Sequence, residues 1–170
     1  YSAMAKGIVF ASDKGARVAN ISFRIFDGST LKDAAKYMYD HGGWVVAAGG
    51  NSGSLANYND NPYIISVGAT ESTDKLTSFS TFGPYIDFAA PGSGIYTTLR
   101  GNSYGSMSGT SFSSPIVAGV IALMMSANSN ATPAQIYDAL KVSAVDLGAA
   151  GRDYYYGWGR VDAYKSLQTL

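Results

Sequence analysis

The sequence predicts an α/β fold with a mostly parallel sheet. Short, continuously apolar runs at Trp44–Ala48 and Tyr63–Val67 read as strands buried on both faces, as parallel sheets require. Segments with helical start and stop signals lie between and after them. Strands alternating with helices are the α/β pattern. At 170 residues the chain makes one domain, long enough for a real core.

The elements follow in order. Ser2 caps a first helix, Ala3 to about Lys14, which Gly15 stops. Val18–Phe23 is a strand. Ser29 or Thr30 caps a second helix, Leu31 to about His41, ended by Gly42-Gly43. Trp44–Ala48 is broken by Gly49-Gly50-Asn51-Ser52-Gly53. Tyr63–Val67 is the next strand and Tyr85–Phe88 a shorter one. Ile95–Thr98 and Ser103–Ser106, around Arg100-Gly101-Asn102, read as a hairpin. The run Pro115–Met125 is too long for a buried strand and reads as a buried helix. Thr132-Pro133 opens another helix as N-cap and first-turn proline. A last short helix starts near Val161. The Tyr154-Tyr155-Tyr156-Gly157-Trp158 cluster reads as packing, because nothing basic accompanies it.

Composition excludes several classes. Twelve basic and twelve acidic residues balance, and no basic stripe is present, so nucleic acid is not an expected partner. Charged residues are only 14% and hydrophobic ones 46%, so Ser, Asn, Gly, Thr and Tyr supply the polar surface. The absence of cysteine removes disulfides, thiolate metal sites and a cysteine nucleophile. No apolar run is expected to reach the length of a membrane span, and no signal peptide is expected at Tyr1-Ser2-Ala3-Met4. A processed secreted protein has the same look, so composition does not give the compartment.

Gly109-Thr110-Ser111-Phe112-Ser113-Ser114-Pro115 is the densest motif. A small-residue turn delivers Ser111 to a helix N-terminus, where unpaired N–H groups and the positive dipole end favour an anion. That suits a nucleophile whose reaction develops an oxyanion. The plainer alternative is an N-cap serine. No G-x-S-x-G spacing is expected in the chain, and the α/β-hydrolase nucleophile elbow that uses it is set aside. Asn51 follows an apolar strand, where open parallel sheets place their sites. Its amide suits donation to an oxyanion; the alternative is a turn asparagine. The one histidine, His41, precedes the strand that Asn51 follows. Five to seven extended residues separate them by roughly 15–25 Å, far beyond the ~3 Å a general base needs. His41 therefore reads as a helix C-terminal cation.

These motifs resemble the subtilisin-like serine proteases (subtilases) over nearly the whole chain. G-T-S-x-x-S-P at 109–115 is similar to the family's serine motif, and Ala47-Ala48-Gly49-Gly50-Asn51 to its oxyanion-asparagine segment. Asn20-Ile21-Ser22 resembles the N-x-S strand beside which substrate lies. Val67-Gly68-Ala69, Ser78-Phe79-Ser80, Gly83-Pro84, Ala90-Pro91-Gly92 and Tyr156-Gly157-Trp158-Gly159 follow in the family's order. The resemblance implies the C-terminal part of a three-layer subtilisin-like fold and peptide-bond hydrolysis through an acyl-enzyme. Ser111 would be the nucleophile. Its N–H and the Asn51 amide would form the oxyanion hole, with Thr110 nearby. Ser22-Phe23-Arg24 and Ala47-Ala48-Gly49 would wall the specificity pocket. Asp87, with carbonyls of Asn59, Asn61 and Ile64, would hold a weak calcium or sodium ion; the alternative is a solvated carboxylate. The reaction requires no cofactor. Arg24, where the family usually has glycine, and Phe112, where methionine is common, depart from the pattern.

In the family, Asp and His precede the N-x-S strand. The nineteen residues before Asn20 hold neither histidine nor the D-T/S-G and H-G-T patterns. The expectation is a single partial domain, 1–170, lacking the Asp/His-bearing part. Two readings result. One is an endopeptidase active when an N-terminal fragment supplies Asp and His. The other is an inactive, self-associating half-domain. Peptide or protein is the expected substrate, and the resemblance implies an extracellular location. Two further expectations follow. The chain alone lacks triad-level activity, and the strand at Val18–Phe23 becomes an open edge, with Ile8, Val9 and Phe10 on an exposed apolar face.

Overall fold

The computed structural model describes residues 2–24 and 28–170. Four strands, β1 Val18–Ile21, β2 Trp44–Ala48, β3 Ile64–Thr70 and β4 Phe88–Pro91, pair in parallel in the order β1-β2-β3-β4. Alternating side chains of β2 serve two cores, as a two-residue period demands. Val45 and Ala47 face α1 (Ser2–Asp13) and α2 (Ser29–Asp40), with Ile8, Leu31 and Met38. Trp44 and Val46 face α3 (Thr110–Ala127), α4 (Pro133–Ser143) and α5 (Ala163–Thr169), with Phe88, Ile121, Met124 and Leu140. The expected three-layer α/β arrangement is therefore present.

Several boundaries differ from the sequence reading. Ser2 is the first helical residue of α1. The α2 N-cap is Gly28, with no side-chain cap bond, so neither Ser29 nor Thr30 caps it. The strand expected at Tyr85–Phe88 is displaced. A turn closed by Ile86 N–H on Gly83 C=O precedes the ladder, which starts where Phe88 meets Val67. The α4 start is as expected: Thr132 and Gln135 form a reciprocal capping box, with Pro133 in the first turn. Helix α5 begins after Asp162, whose carboxylate accepts from the Lys165 N–H.

Among the described helices α3 is long and apolar enough to cross a membrane, at 18 residues and mean hydropathy 1.5. The expectation that no run reaches that length is corrected. Half of that helix is buried against the sheet, which marks a core helix.

β1 pairs with β2 on one side and with no described strand on the other. Its residues are half-buried apart from exposed Asn20. The exposed apolar face is smaller than expected: Phe10 is exposed, but Ile8 lies in the α1–α2 core. Strands β5 Ile95–Leu99 and β6 Ser103–Met107 form a separate antiparallel hairpin leading into α3.

Candidate active site

The exit end of β2 and the start of α3 meet in one cleft. Past Ala48 the chain is held by backbone and hydroxyl groups. Gly49 N–H donates to Val67 C=O (2.8 Å), and Thr81 N–H donates to Gly50 C=O (2.9 Å). Tyr85 Oη donates to Gly49 C=O at 2.6 Å. Burial pushes the Tyr85 hydroxyl up to about 12, against a smaller downward pull from Arg24. Tyr85 thus stays a donor at ordinary pH. Gly50 adopts φ +114°, and a Cβ there would lie 2.8 Å from the Arg24 side chain.

Thr110 orients Asn51. The amide Oδ1 accepts from Thr110 N–H (2.9 Å) and from Thr110 Oγ1 (2.8 Å). Thr110 Oγ1 in turn accepts from Gly50 N–H at 3.1 Å. With Oδ1 fixed on this side, the Asn51 NH2 group is directed to the other, beside Gly109. The sequence reading placed Thr110 only nearby; its part in holding the amide comes from the structure.

Ser111 occupies the second helical position, because the N-cap is Gly109. The alternative of an N-cap serine is thereby corrected. At this position its N–H has no intrahelical acceptor. Its Oγ donates to Ser22 C=O at 3.0 Å, and Ser22 Oγ donates to Ser111 C=O at 2.9 Å. Pro115 explains the second bond. It sits four residues after Ser111 and has no N–H, so the Ser111 carbonyl lacks its helical donor. The Ser22 hydroxyl supplies one. Asn20 Nδ2 donates to that same hydroxyl at 3.0 Å. The N-x-S segment and the serine-proline spacing are therefore two halves of one joint.

The cleft, about 560 Å3, is lined by Ser22, Phe23, Arg24, Ala48, Gly50 and Asn51, with Ser52, Thr110 and Ser111. Of the expected pocket walls, Ala47 and Gly49 do not line it. Ala47 points into the α1–α2 core, and Gly49 is buried behind Gly50. Phe23 is exposed. The Arg24 guanidinium lies 5.3 Å from the Tyr58 ring centroid.

His41 is elsewhere. It caps the C-terminus of α2, before β2 begins, whereas Asn51 follows β2. Its Nδ1 lies 2.8 Å from Tyr37 C=O; a carbonyl only accepts, so Nδ1 carries the proton. The G-x-S-x-G spacing set aside above does occur, at Gly101-Asn102-Ser103-Tyr104-Gly105. It spans the β5–β6 hairpin, with Ser103 Oγ donating to Arg100 C=O at 2.9 Å. A hairpin turn is not the strand-to-helix turn of a nucleophile elbow.

The residues expected to hold a cation lie at the entry end of the sheet. Asp87 is 3% exposed. Its Oδ2 accepts from Ser66 N–H (2.8 Å), and its Oδ1 from Tyr137 Oη (2.9 Å) and Arg152 Nη2 (3.4 Å). Burial, helped by the Asp60 charge, pushes the Asp87 carboxyl up to about 7, against the Ser66 N–H, Arg152 and Tyr137. Asn61 C=O accepts from Ile64 N–H, and Asn61 Oδ1 accepts from Tyr63 N–H. Asn61 and Ile64 line a cavity of about 280 Å3 with Asp87, while Asn59 faces a neighbouring one. With both carboxylate oxygens engaged and a guanidinium on the cluster, this donor set does not fit an additional metal ion.

Comparison with known proteins matches this arrangement to one family. The model of the Subtilase family matches residues 1–159. Thermitase of Thermoactinomyces vulgaris is 40% identical over 171 residues, covering 99% of this chain and 60% of the relative. Subtilisin DY of Bacillus licheniformis is 38% identical over 175 residues, covering 99% of this chain and 63% of the relative. A solved protease of Pseudoalteromonas arctica superposes with a TM-score of 0.87 at 30% identity, over 98% of this chain and 58% of that one. The chain thus spans about three fifths of these proteins. A serine at the head of a buried helix, an asparagine past a central strand and a match along nearly the whole sequence agree: the chain belongs to the subtilase family.

Proposed function

We propose that this chain carries the acyl-transfer part of a serine endopeptidase acting on peptides or proteins. The observation that carries the reading is the convergence of Ser111 and the Thr110-held Asn51 amide on one cleft. A base removes the Ser111 Oγ proton, and Oγ attacks the scissile carbonyl carbon. The carbonyl oxygen becomes an oxyanion, which the Ser111 N–H and the Asn51 NH2 stabilise. Collapse of that intermediate breaks the C–N bond. The amine leaves with the proton held by the base, and water then hydrolyses the acyl-serine. Ser22-Phe23-Arg24 on one side and Ala48 and Gly50 on the other guide the peptide. The base and its orienting carboxylate come from outside these 170 residues, since His41 is at the wrong end of the sheet. The kinship with bacterial subtilisins supports an extracellular site of action.

The edge of β1 that pairs with no described strand favours a second reading, an inactive half-domain that pairs with its own copy through that edge. One experiment separates the two. A fluorophosphonate probe labels Ser111 only when a polypeptide carrying the Asp and His is supplied. Rapid stoichiometric labelling of the 170-residue chain alone overturns the missing-base proposal. No labelling under complementation, with a dimer seen by light scattering, favours the half-domain.

A further inference from the structure

The entry end of the sheet gathers charge that the proposed chemistry does not use. Arg152 Nη2 is surrounded by four oxygens: Asp60 Oδ2 at 2.8 Å, Pro84 C=O at 3.1 Å, Ile86 C=O at 3.3 Å and Asp87 Oδ1 at 3.4 Å. Two carboxylates and two carbonyls around one positive group are the oxygen donors a hard cation takes. A single NH2 group has only two protons, so this cage is richer in acceptors than neutral hydrogen bonding needs.

The loop that delivers Arg152 is tied by carboxylate-to-backbone hydrogen bonds. Its neighbour Asp153 accepts from Tyr155 N–H and Tyr156 N–H through Oδ1, each at 2.8 Å. Asp153 Oδ2 accepts from Ala149 N–H at 2.9 Å. Asp146 Oδ2 accepts from Gly151 N–H at 2.9 Å. Gly157, at φ +63°, lets the returning chain lie against the Ile86 and Asp87 carbonyls, where any Cβ would collide. The guanidinium is thus presented from a loop whose backbone these bonds hold in place.

We propose that Arg152 is a built-in cation: its guanidinium supplies, from the Asp60 side, the positive charge on Asp87 that the family resemblance assigns to calcium or sodium held by Asp87 with the carbonyls of Asn59, Asn61 and Ile64. Two positive charges do not share this cage, because their repulsion in a partly buried setting is large. The stability of this end of the sheet is therefore independent of calcium, and deleting the guanidinium opens a cation site.

Thermal melting with calcium or chelator, at a pH above the Asp87 titration so that its carboxylate is charged, tests this, and it needs no peptidase activity. The unmodified chain melts at the same temperature in both. Arg152→Ala in chelator melts roughly 5–10 °C lower, as expected when one partner of a partly buried ion pair is removed. Calcium at millimolar concentration restores most of that loss. Arg152→Lys keeps the charge and stays insensitive to calcium. Asp87→Asn in the Arg152→Ala background abolishes the rescue. A calcium-raised melting temperature in the unmodified chain that Asp87→Asn removes overturns the proposal. So does an Arg152→Ala chain that loses stability without gaining calcium dependence. If Arg152→Ala does not fold, calorimetric titration of the unmodified chain with calcium decides. Binding that Asp87→Asn removes overturns the proposal, and no such binding upholds it.

Discussion

The two ends of the parallel sheet hold opposite kinds of polar chemistry. At the exit end, Ser111, Asn51, Thr110 and Ser22 form a neutral network in an open cleft, with Arg24 as the charged lining residue. Asn51, held by Thr110, and Ser111 both line that cleft, and their donors are the ones proposed to serve the oxyanion. At the entry end, Asp60, Asp87, Arg152 and Tyr137 form a charged network whose groups hydrogen-bond one another. The difference teaches where to look for function. A network that leaves oriented donors facing solvent is suited to a ligand or transition state. A network that closes on itself is suited to holding the fold. Charge alone points to the wrong end.

The largest test of this contrast is Asn51→Ala in the chain complemented with its Asp and His. Removing one oxyanion donor lowers turnover about 10²–10³-fold. Asn51 is exposed, so water takes over the Thr110 donors and the melting temperature hardly moves. Steady-state kinetics with a peptide ester and a parallel melt read both quantities. A variant that keeps its turnover but loses stability would reverse the roles of the two ends.

How much of this was legible beforehand differs between the ends. Ser111 and Asn51 were readable because each lies in a short, contiguous turn whose residue types dictate the backbone. The misplacement of His41 was readable from strand direction alone. The joint between Ser22 and Ser111 was not, since it links residues 89 apart through a hydroxyl that answers the missing Pro115 N–H. Arg152 and Asp87 are 65 residues apart, and side-chain pairing at that range leaves no periodicity in the sequence. Hence the resemblance offered Asp87 as a cation ligand or a solvated carboxylate, whereas it is buried, with an arginine on it that the sequence did not reveal. Strand β4 was misplaced for a related reason. Tyr85 and Ile86 have strand character but are buried by tertiary packing ahead of the ladder.

A second test concerns pH at the entry end. Asp87 titrates near 7 in the folded chain, through burial first and the Asp60 charge next. In the unfolded chain it titrates near the ordinary value of about 3.9. Between these values the folded state holds a proton that the unfolded state has lost. This group's contribution to stability is therefore complete below about pH 4 and falls as pH rises towards 7, by up to about 1.4 kcal/mol per unit. Urea unfolding of the unmodified chain and Asp87→Asn across this range isolates the effect: the difference in stability between them changes with pH and levels off above 7. A constant difference would mean that Asp87 is ionised throughout and that the guanidinium compensates it fully.

Thr110→Val is the smallest and most discriminating change, because the Thr110 hydroxyl both holds the amide of the exit-end network and satisfies a buried backbone donor. Its hydroxyl holds Asn51 Oδ1 and accepts from the buried Gly50 N–H. Valine keeps the shape and the backbone N–H bond to Asn51 but removes both hydroxyl bonds. Gly50 N–H is left without that acceptor, which costs about 1–2 kcal/mol of stability. Asn51 keeps one of its two tethers, so its NH2 wanders from the oxyanion position rather than vanishing. Turnover in the complemented chain falls about tenfold, well short of the loss from removing the donor outright. The distinguishing readout is the double variant with Asn51→Ala. If Thr110 acts through the amide, adding Thr110→Val to Asn51→Ala costs no further turnover while the stability loss remains. Additive losses in turnover would mean instead that the Thr110 hydroxyl contacts the substrate or the oxyanion directly.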